Sequence, residues 1–204
     1  MNIKEIYVLN RALDGKDILY MPSFRNLGIS EIMISAIKDG MIKRGLLKNY
    51  TEFTDEGIRI ADRIRRYKSA KKHMRIDNLL IGVINEKESI LILWNPLLAE
   101  YSIRLIDSSM GTDQICEGYG FLSEESNETD CAEVKLSYNE LLAKFIIDSN
   151  NSFRLSTNVN GKKSDEIYFK ADSRLYVYDY LKNNLYLKNK SDILGNLSER
   201  MSIA

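Results

Sequence analysis

The sequence predicts an α+β fold, a central antiparallel sheet flanked by helices on both sides. Three observations carry it. Apolar residues recur at helical spacing behind capping residues as far as about Tyr67, and from Met74 the period changes to two. After a polar acidic break the order helix first, strands after comes again. With 204 residues, 44% of them hydrophobic, the chain can bury one substantial core. We read one domain over 1–204, with lobes of roughly 1–121 and 134–204 joined by an acidic loop at 122–133. The repeated layout fits either a diverged duplication or a shared α+β plan.

Asn2 caps a first helix to about Leu13, and Gly15 supplies a left-handed stop. Pro22 marks a turn or extended passage. Ser30 caps a second helix with Ile34, Ile37, Met41 and Ile42 at helical spacing, ended by Gly45. Ile32 and Met33 widen its apolar surface, so it is expected to pack on more than one side. Thr54 opens a third helix with Asp55 and Glu56 in its first turn and Ile60, Ile64 and Tyr67 as its buried stripe, running into a basic end RRYKSAKKHMR. IDNLLIGVIN and SILILWN read as two strands around a short loop at Glu86 to Glu88, EYSIRLIDS as a third strand and ICEGYGFL as a fourth.

The second half opens with a capping box, Ser137 and Glu140, on the helix SYNELLAKFIIDS. EIYFKA and RLYVYDYLKNNLYLK read as three strands, with Asn183 and Asn184 turning the last two. Ser191 caps a closing helix.

Composition excludes several functions. Lysine plus arginine balances aspartate plus glutamate at 29 each, so any electrostatic partner is met by a local patch. The opening residues lack the basic-then-apolar pattern of a secretion signal, and charges interrupt every apolar run short of a membrane span. A cytoplasmic protein with no membrane insertion is expected, with Cys116 and Cys131 as reduced thiols.

No catalytic set assembles. His73 is the only histidine, so every Ser, His, Asp or Cys, His arrangement would need this one residue. At a helix end it is expected to meet the carboxyl-end dipole. Neither histidine nor cysteine spacing builds a metal site. Gly118 to Gly120 lacks the motifs of a phosphate cradle, and no spacing ties Asp107, Asp113, Glu124 and Glu125 together. No cofactor is expected.

Arg59 to Arg75 holds eight basic residues against one acid, Asp62. Its plain reading is a solvated face, and its functional reading is nucleic-acid contact. IKRGLLKNYTEFTDEGIRIADRI also resembles the end of a winged-helix domain. There the preceding helix presents basic and amide groups to base edges. Here that helix offers Ile32, Met33, Ile34, Ala36 and Ile37, with Lys38 its lone cation before the last turn, which is too apolar to face DNA.

Met21 and Pro22 as a Leu-Pro-like turn, Gly28 and Glu31 near a helix start, and Arg44, Gly45 and Leu46 at its end resemble the N-terminal region of the EspG-like ESX (type VII) secretion-associated chaperones. The second half is similar in outline, with Asp179 near that family's strand-borne aspartate. The Gly-Arg pair expected after it is absent, and the chain is short for the family. The resemblance implies a non-enzymatic cytoplasmic chaperone that holds a secreted helical-hairpin protein. The alternative is a winged-helix-like DNA-binding regulator.

For partner binding we single out Trp94, Pro96, Leu97 and Leu98, which place apolar side chains at a strand end and its loop. The plain alternative is that Trp94 and Leu97 close the core. Glu124 and Glu125, in the acidic loop, are the second candidate, as an adaptable rim. The oligomeric state is left open by the sequence.

Overall fold

The computed structural model describes residues 1–108, 118–122, 132–135, 140, 152–171 and 173–201. The fold is α+β. Among the described residues, hydrogen-bonded strands follow the order β4-β3-β2-β1-β6-β7-β8-β9-β5 in an antiparallel sheet of nine. The chain divides into two compact units, the first comprising Met1–His73, Asn78–Ile84 and Ser89–Ile106, and the second the remainder.

The first unit opens with α1 (Ile3–Leu13), α2 (Glu31–Lys43) and α3 (Asp55–Lys68). Asn2 and Glu5 form a reciprocal cap on α1: the Asn2 side chain accepts from the Lys4 and Glu5 amides, and Glu5 accepts from the Asn2 amide. Lys68, at the end of α3, donates to Asn10 Oδ1 at 2.8 Å and to the Lys16 carbonyl at 3.0 Å, and pairs with Asp14. The ends of α1 and α3 are thereby fastened together.

α2 is capped by Ser30 and stops at Gly45, whose φ of +70° suits a residue without a Cβ. Thr54 then joins two elements. Its hydroxyl donates to the Gly45 carbonyl at 2.6 Å and accepts from the Gly57 amide at 3.1 Å, capping α3. Ile60, Ile64 and Tyr67 form the buried stripe of α3. They pack with Ile6, Leu9, Met41, Leu80, Ile90 and Ile92 in one apolar cluster. Gly82 leaves room for the Tyr67 ring, because a Cβ there would lie 2.7 Å from Tyr67 Cδ2.

The first four strands are β1 (Lys72–Ile76), β2 (Leu79–Val83), β3 (Glu88–Asn95) and β4 (Glu100–Asp107). β2 and β3 pair antiparallel from Leu79 opposite Leu93 to Val83 opposite Ser89.

The second unit contains β5 (Ala132–Val134), β6 (Ser152–Val159), β7 (Lys162–Ala171), β8 (Arg174–Asp179), β9 (Asn184–Lys188) and α4 (Lys190–Met201). Phe153 stacks on Tyr168 at 4.9 Å, and Phe169 on Tyr176 at 5.2 Å. α4 is pinned by Arg200, which donates to Ser164 Oγ at 2.7 Å and Glu166 Oε1 at 2.5 Å. Glu166 is itself buried and accepts from the Tyr168 hydroxyl at 2.6 Å.

Five expectations need correction. α2 buries only Ile34 and Met41, and Ile32 is 86% exposed, so that helix packs along one stripe. The basic end of α3 is not all helix: it stops at Lys68, and Lys72 to Ile76 forms β1. There His73, Met74 and Ile76 are buried, a burial that the surrounding lysines and arginines disguise in the sequence. Gly120–Leu122 forms a 3-10 turn instead of strand, with adjacent Phe121 and Leu122 both buried. The end of the acidic break is a strand, β5, paired with β9. Finally, Asn189 caps α4 in place of Ser191, its side chain accepting from the Asp192 amide at 2.8 Å.

β6 was not expected either. Its alternation of buried Phe153, Leu155 and Thr157 is a strand signal that the polar residues between them obscure. The helix expected over SYNELLAKFIIDS lies outside the described residues apart from Glu140, as do Cys116 and Cys131.

Candidate functional site

Trp94, Pro96, Leu97 and Leu98 all lie on the β3–β4 hairpin. Along β3, Ile90 and Ile92 are fully buried, and alternation carries Trp94 onto their face. Trp94 is half-buried at the edge of the core, its ring 4.5 Å from that of Tyr101 on β4. Its amide donates to the Asn78 carbonyl at 3.0 Å. The tryptophan therefore closes one end of the apolar cluster.

The leucines behave oppositely. Leu97 is 94% exposed and Leu98 67% exposed. They are held outward by a turn with its own bracing. Asn95 Oδ1 accepts from the Leu97 amide at 3.0 Å and the Leu98 amide at 3.3 Å, Pro96 fixes its own φ, and Ala99 takes a left-handed φ of +50°. Leu93 and Leu105 add partly exposed apolar surface on the same two strands.

Charge lies beside the tip. Glu100 accepts from Arg44 at 3.0 Å, and the same guanidinium reaches Glu5 at 3.2 Å. Glu5 is buried, so Arg44 is the positive partner that its carboxylate requires. This trio ties the base of the hairpin to α1 and to the end of α2. In the sequence Arg44 reads only as part of a helix end and Glu100 carries no signal, since their neighbourhood depends on how the helices pack.

The remaining candidates fall elsewhere or disperse. Glu124, Glu125 and Asp113 lie outside the described residues. Asp179 is buried at the end of β8, where it accepts from the Leu181 and Lys182 amides, both at 3.0 Å, and pairs with Lys182 at 3.1 Å. That is turn construction, the same device Asn95 uses. The turn exposes Tyr180 and Leu181.

His73 sits on β1 and not on a helix. Its Nε2 nonetheless donates to the Tyr67 carbonyl, in the last turn of α3, at 2.7 Å. Burial pushes its pKa below the ordinary value, against the pull of that carbonyl. Among the described residues, no group of three or more histidines, cysteines, aspartates or glutamates could hold a metal.

The basic run is divided among local partners. Arg59 pairs with Glu56 at 2.7 Å, Arg65 with Asp62, Arg63 donates to the Ile103 carbonyl at 3.0 Å, and Arg75 to the Asp77 carbonyl at 3.1 Å. On α2 the exposed positions are Glu31, Ile32, Ser35, Ala36, Asp39 and Lys43, a face with more acid than base. Among the described residues, no helix is long and apolar enough to cross a membrane.

What the hairpin offers is therefore a fixed apolar contact surface. No curated protein matches the sequence. A family model described as a domain of unknown function, DUF5081, matches residues 1–203, and the chain belongs to that family.

Proposed function

We propose that the protein is a non-enzymatic cytoplasmic chaperone or adaptor of the EspG-like, type VII secretion kind. It binds a secreted helical-hairpin protein through the tip formed by Trp94, Pro96, Leu97 and Leu98. The observation that carries this reading is the exposure of Leu97 and Leu98, 94% and 67%, on a turn whose shape is fixed by Asn95. Two adjacent leucines held rigidly in water are a ready anchor for an apolar helix face, because little conformational freedom remains to be lost on binding. The α+β element order is in keeping with the resemblance.

The alternative, a winged-helix-like DNA-binding regulator, has less support. The arginines it needs are engaged locally, and the outer face of α2 carries Glu31 and Asp39. One titration separates the two readings: wild-type and Leu97→Ser/Leu98→Ser protein are mixed with a secreted helical hairpin and with duplex DNA at several salt concentrations. The chaperone reading expects a hairpin complex that persists in salt and is lost in the double variant. Salt-sensitive DNA binding without a hairpin complex overturns it.

A further inference from the structure

A concave feature far from the leucines in sequence has a different chemistry. Between α1, α2 and the connector from Leu46 to Thr54 lies a half-open slot of about 380 Å³. That volume falls within the roughly 300–1,000 Å³ of small-ligand sites. Its floor is apolar: Val8, Ile34 and Leu47 are each less than a tenth exposed, Phe53 is partly buried, and Ala12 stands at the mouth.

The wall is built before any ligand arrives. Leu47 and Phe53 form a β-bridge, and the Lys48 amide donates to the Glu52 carbonyl at 2.8 Å. Asn49 Oδ1 accepts from the Thr51 and Glu52 amides at 2.9 and 3.0 Å. Tyr50 is fixed at both ends, its hydroxyl donating to Asp39 and its carbonyl accepting from Lys38 Nζ at 2.9 Å. A preformed apolar cavity avoids the ordering penalty of an induced one.

The polar lining then selects the ligand. Two cations, Arg11 and Lys38, face one carboxylate, Glu31, so the charged lining has a surplus of one positive charge. Arg11 pairs with Glu31 at 2.9 Å, but both side chains are more than half exposed, and such a pair yields readily to a competing carboxylate. Lys38 spends one of three ammonium donors on Tyr50 and keeps the others. The connector's Lys48 and Thr54 amides are already bonded to the Glu52 and Leu46 carbonyls, which favours a plain tail over a peptide main chain.

We infer that this slot binds a medium-chain fatty carboxylate, its tail on Val8, Ile34, Leu47 and Phe53 and its carboxylate between Arg11 and Lys38. The site is separate from the leucine tip, and neither reading depends on the other.

The test uses the full chain with anilinonaphthalenesulfonate as a fluorescent probe, displaced by decanoate or by decylammonium. Decanoate should displace it saturably and decylammonium should not. Ala12→Phe fills the mouth from an exposed position and should abolish decanoate binding with the far-ultraviolet circular dichroism unchanged. Lys38→Glu should weaken decanoate about tenfold, the effect of losing one charge-assisted hydrogen bond. Lys43→Glu, on the same helix but outside the slot, should not. Leu97→Ser/Leu98→Ser should bind decanoate as the wild type does. Equal displacement by the ammonium, undiminished binding in Ala12→Phe or Lys38→Glu, or displacement by a short apolar peptide and not by decanoate would overturn the assignment.

Discussion

Gly57→Ala tests the packing that shapes the first unit. Helix propensity alone favours the substitution, by about 1 kcal/mol for a glycine in a helix interior. The structure reverses the sign. A Cβ at Gly57 would collide with the Leu46 carbonyl oxygen, 3.2 Å from the carbonyl carbon and 3.3 Å from Phe53 Cδ1.

That carbonyl has little freedom to retreat. Leu46 is buried, its amide donates to the Met41 carbonyl at 2.9 Å, and its own carbonyl accepts from the Thr54 amide at 3.2 Å. Forcing it away loses that hydrogen bond, about 1 kcal/mol. It also strains the Thr54 cap, about another 1 kcal/mol, and adds an overpacking penalty of about 1–3 kcal/mol. Set against the propensity gain, the net effect is a destabilisation of about 2–4 kcal/mol.

For a chain of this length that corresponds to a fall in Tm of roughly 4–16 °C. Gly40, on α2, is the control, since a Cβ there meets nothing within 4 Å. Gly40→Ala should therefore raise stability by about 0.5–1 kcal/mol. Thermal and urea unfolding followed by circular dichroism give both values. A Gly57→Ala protein that melts at or above the wild-type temperature would refute the reasoning.

Three further outcomes are expected. Asn95→Ala removes the acceptor that braces the leucine tip and should destabilise by about 1 kcal/mol and, under the proposed function, weaken binding of the helical-hairpin partner although both leucines remain. Calorimetry reads the second effect. His73 has a depressed pKa in the folded state, so its contribution is fully present above the unfolded value of 6.5 and is lost as pH falls through the folded one. Between about pH 7.5 and about pH 5 the wild type should therefore lose more stability than His73→Gln, as melts at the two pH values would record. Arg154, and after it Ser156, hold the Asp165 carboxyl below its ordinary range by hydrogen bonding. The resulting stability is present above the unfolded value of 3.8 and is lost as acid protonates the carboxylate, so Arg154→Met should flatten the acid limb of a stability profile.

Local chemistry acting over one helical turn was legible at the starts of the first three helices, though not at α4, where Asn189 caps in place of Ser191. Asn2, Ser30 and Thr54 cap the helices they were expected to cap, and Gly45 ends α2. The stripe of Ile60, Ile64 and Tyr67 is buried as its spacing implies. Asn183 takes the left-handed φ of +58° that turns β8 into β9. In each case the cause lies within a few residues of the effect.

Long-range partners decided the rest. Ile32 is as apolar as Ile34, yet one is exposed and the other buried, because only one face of α2 meets α1. Lys72 and His73 read as the tail of a basic helix until β1 gives them a sheet position. Trp94, Pro96, Leu97 and Leu98 read as a strand end and its following loop, and that is where they lie. Their division into an inward Trp94 and an outward Leu97 and Leu98 was not visible.

The sequence by itself determined the class of the fold, the caps of the first three helices, the stops of the first two, and most of the strands, since these follow from periodicity and from side chains that bond their own backbone. Only the tertiary structure decided which apolar residues stay in water, that Gly57 is required by a carbonyl eleven positions earlier, and that Arg11 and Lys38 share an apolar slot. Burial and charge neighbourhood are properties of distant pairs, and no local pattern encodes them.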